Sequence, residues 1–383
     1  MHDRTADIPP PAARREGFSI PSLDGLRAVS FLIVFLAHAG LEKWVPGELG
    51  LTVFFFLSGY LITTLLRLEY DRTGGIRLGD FYLRRVLRIF PPFYLVLSLA
   101  SLLTLAGALG NTLQGRAVLA QACHLSNYYI VGHGWWTGRA PGTYVYWSLA
   151  VEEHFYLLFP LAYLLLRRRG LTGPQMAAAF LWTCGAVLLW RCLLVFGFDA
   201  SKERVYVATD TRVDAILFGC ALAVWGNPAL EESRVPERRL KALWLPLGAL
   251  TLLISFAVRR FEFEQTLRYT LQSAALFPVF IAAIRYPHWG AFRWLNVGWV
   301  RFIGTLSYSL YLLHTTVLFG MGQWTRWPLA ARGVASLGVS VLIAVAIYYG
   351  VERPCAQLRK RLSHVAATRR QARLALAPQE ATA

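Results

Sequence analysis

Charge is scarce in this chain. Asp, Glu, Lys and Arg make up 16% of its 383 residues, against about 25% in soluble globular proteins. That shortage excludes an ordinary water-facing domain. No Gly-Lys dipeptide occurs, which rules out a nucleotide-binding P-loop. Gly-x-Ser-x-Gly is missing too, so there is no nucleophile elbow of the α/β-hydrolase kind. Cys123, Cys184, Cys192, Cys220 and Cys355 form no Cys-x-x-Cys pair. Most of them sit in apolar context, as small packing residues do. His-x4-Asp, another acyl-transfer spacing, occurs only from His2 to Asp7, in a polar end expected to be disordered. No internal repeat and no cleavable signal peptide is read; residues 1–17 are polar.

Apolar residues fill the space that charge leaves. They make up 56% of the chain, with 14% aromatic residues and a mean hydropathy of +0.43. They come in runs such as LTVFFFLSGYLITTLL and VSVLIAVAIYYGV. The reading is an all-α, polytopic membrane protein. In a soluble protein the net charge of +17 would suggest nucleic acid. Here the basic residues gather at helix ends and in short loops, which reports topology instead. The partner expected is therefore the bilayer and not nucleic acid.

Ten spans are predicted, at 26–42, 49–68, 89–109, 144–167, 175–197, 210–226, 243–258, 267–285, 300–322 and 331–351. The stretch 117–132 is apolar but short, and His124, Ser126 and Asn127 interrupt it. It is placed at the outer interface or as a re-entrant piece. Ten spans put RLEYDRTGGIRLGDFYLRR, RRRGLTG, EESRVPERRLK, RYPHWGAFRW and the basic end of the chain on the cytoplasmic side, with both termini inside. The outer RRFEFEQ is a partial exception. The expected organisation is a cytoplasmic segment 1–19, a transmembrane domain 20–354 and a basic cytoplasmic tail 355–383. The tail is read as a lipid-surface contact.

Ionisable residues inside such a domain are functional candidates by default. Arg27 and His38 share the first span, about 16 Å apart along its axis at about 1.5 Å per residue. That puts Arg27 near the inner face and His38 deep in the membrane. Arg27 also reads as a snorkelling anchor, and His38 as a histidine bonded to a neighbouring helix. Glu152 and Glu153 lie about two turns into the fourth span and point about 100° apart. Either can face a cavity, or pair with a cation such as Arg191 or Arg212. Asp210, Arg212 and Asp214 mark the outer mouth of the sixth span, where a helix cap explains Asp210 equally well. Tyr308, Tyr311 and His314 form one polar stripe at i, i+3, i+6, which also reads as an aromatic packing face. Arg85 and Arg88, three apart on one face beside Arg84, suit bidentate phosphate binding; positive-inside anchoring explains their charge but not the choice of arginine.

Six segments in order carry a resemblance: SLDGLR with its Arg-x10-His spacing, FFFLSGYLI, FYLRRVLRIFPP, YWSLAVEEHFYLLFP, DTRVDAILFGC, and LSYSLYLLH followed by VERP. Across residues 20–354 the chain resembles the acyltransferase 3 family of integral membrane acyltransferases. These modify sugars of O-antigens, capsules, peptidoglycan, Nod factors and macrolides. The resemblance implies a ten-helix core, acyl-CoA (usually acetyl-CoA) as donor and a hydroxyl as acceptor. It implicates Arg27 and His38, Arg85 and Arg88, and Glu153. One departure is His154, where Gln is common. Some relatives carry a fused SGNH hydrolase-like domain, and none is expected here.

The function expected is O-acylation of a glycan, lipid-linked sugar or glycoside in a bacterial-type inner membrane. No metal is expected. Arg85 and Arg88 hold the CoA phosphates. His38 takes the acceptor proton, and Glu153, level with it, orients the imidazole or the acceptor. Glu152, Asp210, Arg212, Asp214 and His314 are read as acceptor-side contacts. Tyr308 and Ser309 are read as donors to the thioester carbonyl. Direct transfer and an acyl-enzyme on His38 or a serine both stay open. The rival functions are a secondary transporter or flippase, and a non-catalytic scaffold. Missing repeats speak against the transporter, and polar residues in the lipid core speak against the scaffold.

Overall fold

A computed structural model describes residues 20–110 and 112–362. Helices account for nearly all regular structure, and no strand occurs among the described residues. The first half of the chain forms α1 (Pro21–Leu36), α2 (Gly47–Thr73), α3 (Leu78–Leu105), α4 (Gly115–Ala122), α5 (Ser126–His133), α6 (Trp147–Arg168) and α7 (Gly173–Cys192). The second half forms α8 (Lys202–Val207), α9 (Thr209–Val224), α10 (Glu237–Arg239), α11 (Leu245–Ala257), α12 (Phe261–Gln265), α13 (Leu267–Arg285), α14 (Gly298–Trp324) and α15 (Leu329–Ile347). Among the described residues, 9 helices are long and apolar enough to cross a membrane. The tenth expected span, α9, has 16 residues and is too short for that set. It is buried along almost its whole length, so protein and not lipid surrounds Arg212 and Asp214.

The centre of the bundle is the crossing of α2 and α9. A Cβ on Gly59 would overlap the Ile216 carbonyl oxygen, and one on Gly219 would overlap that of Phe56. Two backbones in contact replace the side-chain layer, the close approach that small residues allow between membrane helices. One core cluster surrounds this crossing. A second lies between α1, α3, α14 and α15, around Phe31, Phe93, Leu310 and Ile347.

Two boundaries differ from expectation, at α3 and at the end of the chain. α3 begins at Leu78, well before residue 89, and Pro91 and Pro92 lie inside it rather than at its start. Membrane helices tolerate proline because neighbouring groups satisfy the freed carbonyls. The stretch 117–132 becomes α4 and α5, each about 12 Å long and too short to cross. At the chain's end, helix continues past the VERP motif to Leu362, into the expected tail. Residues 1–19, with His2 and Asp7, and 363–383 lie outside the described residues.

Candidate active site

Two cavities among the described residues bear on the site, taken from the inner side outward. Three arginines from two helices face the inner one: Arg27 of α1, and Arg85 and Arg88 of α3. Arg27 bonds Asp24 at 2.7 Å. Arg85 and Arg88 make no salt bridge with any described residue. The Arg85 guanidinium instead lies 3.4 Å over the Tyr156 ring, which fixes its plane without neutralising it. Two guanidiniums without a salt bridge to any described residue thus stand one helical turn apart on the cavity wall.

Glu152 and Glu153 line the same cavity. Glu152 accepts hydrogen bonds from Tyr156 at 2.6 Å and Ser58 at 3.0 Å. Glu153 makes no hydrogen bond or salt bridge to a described residue. Neither carboxylate pairs with Arg191 or Arg212, the cations suggested for them. Glu153→Gln therefore breaks no ion pair. The variant is expected to keep its unfolding stability within about 0.5 kcal/mol of wild type while acyl transfer falls. A destabilised protein would mean that Glu153 has a structural partner.

Glu153 does not meet His38. Helical rise sets both groups near mid-membrane, but His38 opens into the outer cavity, not the inner one. Its partner is His314, with Nδ1 of His38 lying 2.9 Å from Nε2 of His314. The protons of this pair follow from the next contacts. His314 Nδ1 faces the carbonyl oxygens of Tyr311 at 2.9 Å and Leu310 at 3.2 Å. Carbonyls only accept, so Nδ1 of His314 carries hydrogen and its Nε2 is an acceptor. His38 must then donate through Nδ1. That leaves a bare lone pair on Nε2, which no described residue engages. His314 is fully buried, whereas His38 is exposed. His38 sits just beyond α1, in a wide π turn over Ala37–Leu41 that contains Gly40 at φ 99°, a conformation that glycine adopts at little cost.

The outer cavity is the roomier, about 410 Å³ against about 90 Å³ for the inner. Trp135, Tyr144, Trp147 and Tyr206 line it, with Glu48, Arg268 and Gln272 among the polar groups. The rings touch in series: His38–Tyr144 at 5.9 Å, Tyr144–Trp135 at 6.4 Å, Trp135–Tyr206 at 5.9 Å and Tyr206–Trp147 at 5.0 Å. Aromatic walls with a few polar groups are the usual build of a small-molecule site. Sequence reasoning missed this wall. Its signal was present in the aromatic residues of GHGWWTG and YVYW, which no sequence motif singled out as a wall.

The remaining predicted residues lie elsewhere. Asp214 bonds Arg191 at 2.7 Å, both 0% exposed, and accepts from Thr270 at 3.1 Å. Arg212 is also fully buried, 3.6 Å over the Tyr269 ring. Asp210 pairs with Arg204 at 2.5 Å and accepts from the Trp190 indole at 2.7 Å. None of the three lines either cavity. Tyr308 lines the inner cavity, but its hydroxyl donates to the Ile89 carbonyl at 3.0 Å. Ser309 donates to Glu352 at 2.5 Å; Glu352, in the VERP motif, was not singled out from the sequence. Among the described residues no three His, Cys, Asp or Glu side chains gather as metal ligands.

Within this helical membrane bundle the arginines line one cavity and His38 the other. The acyltransferase domain matches residues 20–349, and the chain belongs to the acyltransferase 3 family. It is 31% identical over 354 residues to the peptidoglycan O-acetyltransferase OatA of Listeria monocytogenes, covering 88% of this chain and 55% of that one. It is 30% identical over 361 residues to a Bacillus subtilis protein named "Putative peptidoglycan O-acetyltransferase YrhL", covering 88% and 54%. The chain thus spans about half the length of the curated relatives it matches. No solved structure matches it.

Proposed function

We propose that this chain is a membrane O-acyltransferase that takes an acyl group, acetyl above all, from acyl-CoA on the cytoplasmic side and passes it to a glycan hydroxyl on the outer side of the cell membrane. One observation carries this reading. Unpaired arginines line the inner cavity, while the outer one receives a histidine with a free lone pair. Arg85 and Arg88 hold the CoA phosphates through charge-assisted bonds. The narrow inner cavity suits a thin pantetheine arm. The aromatic wall of the outer cavity suits the apolar face of a sugar, and the names of the relatives favour a peptidoglycan sugar.

In the reaction, the acceptor hydroxyl donates to His38 Nε2. As its oxygen bonds to the thioester carbonyl carbon, its proton moves to Nε2. The carbon–sulfur bond then breaks, and the proton leaves His38 for the CoA sulfur. The imidazolium formed meanwhile donates through Nδ1 to His314, which is anchored on two carbonyls. His314 is thus a positioning residue that sets the reactive tautomer.

Purified protein, labelled acetyl-CoA and a muropeptide acceptor test the reading. An alkali-labile label on the acceptor is expected. A transporter would give none. Arg85→Ala and Arg88→Ala should each raise the KM for acetyl-CoA by about 10–100-fold, the worth of one charge-assisted contact. The loss should shrink at high salt. A truncated thioester lacking the nucleotide should show no such penalty. An unchanged KM in both variants would count against the phosphate role.

A further inference from the structure

The two cavities adjoin, and the side chains they share form a neck between them. Of all their lining residues, only Leu51 of α2 and Tyr311 of α14 belong to both. Each is nearly closed off from space, at 6% and 7% exposure. Phe54, one turn along α2 from Leu51, sets its ring edge-on to Tyr311, centroids 6.0 Å apart. Tyr311 is held rigidly. Its hydroxyl lies 2.6 Å from the Ser148 hydroxyl and donates to the Val145 carbonyl at 3.3 Å. It also stands one helical turn before His314, which orients His38. The neck is therefore apolar on the α2 side, pinned on the α14 side, and directly beside the histidine pair.

We propose that Leu51, Phe54 and Tyr311 set the length of the acyl chain that this protein transfers, and that they hold it to acetyl. This rests on the acyl-CoA reading above. A thioester carried up from Arg85 and Arg88 must bring its carbonyl through the neck to reach His38. The acyl tail then lies against Leu51 and Phe54. A methyl group takes the room available between side chains that are packed and buried. Each further methylene must displace them, and packed interiors yield poorly to added volume. Tyr311 cannot turn aside without breaking its bonds to Ser148 and Val145, so Leu51 is the wall that sets the limit. Selection by steric exclusion at one methylene is worth about 10–200-fold in kcat/KM.

The test is a chain-length series, acetyl-, propionyl- and butyryl-CoA, with wild type, Leu51→Val and Leu51→Ala. Wild type should lose about 10-fold or more per added methylene. The butyryl-to-acetyl ratio of kcat/KM should rise in graded fashion, by about 10-fold in Leu51→Ala and less in Leu51→Val. The KM split matters here. Inhibition by free CoA should be unaltered, since the phosphates bind elsewhere. Leu51→Val keeps most of the packing, so the series stays readable if the alanine variant folds poorly. Leu51→Phe, which narrows the neck, should depress acetyl transfer while leaving CoA inhibition intact. If wild type transfers acetyl and both smaller variants keep its chain-length profile, the neck does not select and the proposal is overturned. If wild type transfers nothing from any acyl-CoA, it is the donor reading that fails.

Discussion

His38→Ala is expected to lower acyl transfer by about 10²–10⁴, the worth of one general base, with the protein still folded and inserted. The fold should survive because His38 is exposed to the outer cavity and its ring makes one hydrogen bond, to His314. Losing such a bond costs about 1 kcal/mol. A double-mutant cycle adds the sharper reading. His314→Ala should itself slow the reaction, since His38 then loses the acceptor that fixes its tautomer. In the His38→Ala background the same change should cost nothing further in rate, as residues acting through one group are not additive. Full additivity would mean that His314 acts independently of His38. Near-normal activity in His38→Ala would remove the base altogether.

Asp214→Asn should fail in the opposite manner, through stability and not chemistry. Asp214 and Arg191 form a fully buried pair between α9 and α7, with both side chains 0% exposed. Arg191 also donates to the Thr211 carbonyl at 2.7 Å. Removing the carboxylate charge leaves a buried guanidinium without its counter-ion, which costs about 3–5 kcal/mol. The variant should melt early and give little folded protein, while the folded fraction keeps the wild-type KM for donor and acceptor. Thermal melts and kinetics on the same preparation separate the effects. A stable variant with a selectively raised acceptor KM would return Asp214 to the acceptor site.

These two outcomes mark how far sequence reasoning reaches. Charge asymmetry in the loops and apolar run length were sufficient for the helical membrane bundle, since both are local quantities. Arg85 and Arg88 were also legible, as their i, i+3 spacing puts them on one face and that face lines the inner cavity. The stripe of Tyr308, Tyr311 and His314 runs past both cavities in order. Which cavity a side chain enters was not legible from helical rise. Rise per residue put Glu153 and His38 at one level, yet they face different cavities. Partners far apart in the chain were hidden too. His38 and His314 are separated by 276 residues, and no local pattern encodes that meeting. Asp210, Arg212 and Asp214 looked like one cluster because they are adjacent in sequence. Successive helical directions send them to Arg204, an aromatic stack and Arg191 instead.

The most direct measurement is sidedness in sealed proteoliposomes of known orientation. Labelled acetyl-CoA is placed only on the side of Arg85 and Arg88, and a muropeptide acceptor only on the side of the outer cavity. Label esterified to the acceptor on the far side, abolished by His38→Ala, is the expected result. Ester formation only when donor and acceptor share a compartment would contradict a reaction served by two cavities from opposite faces.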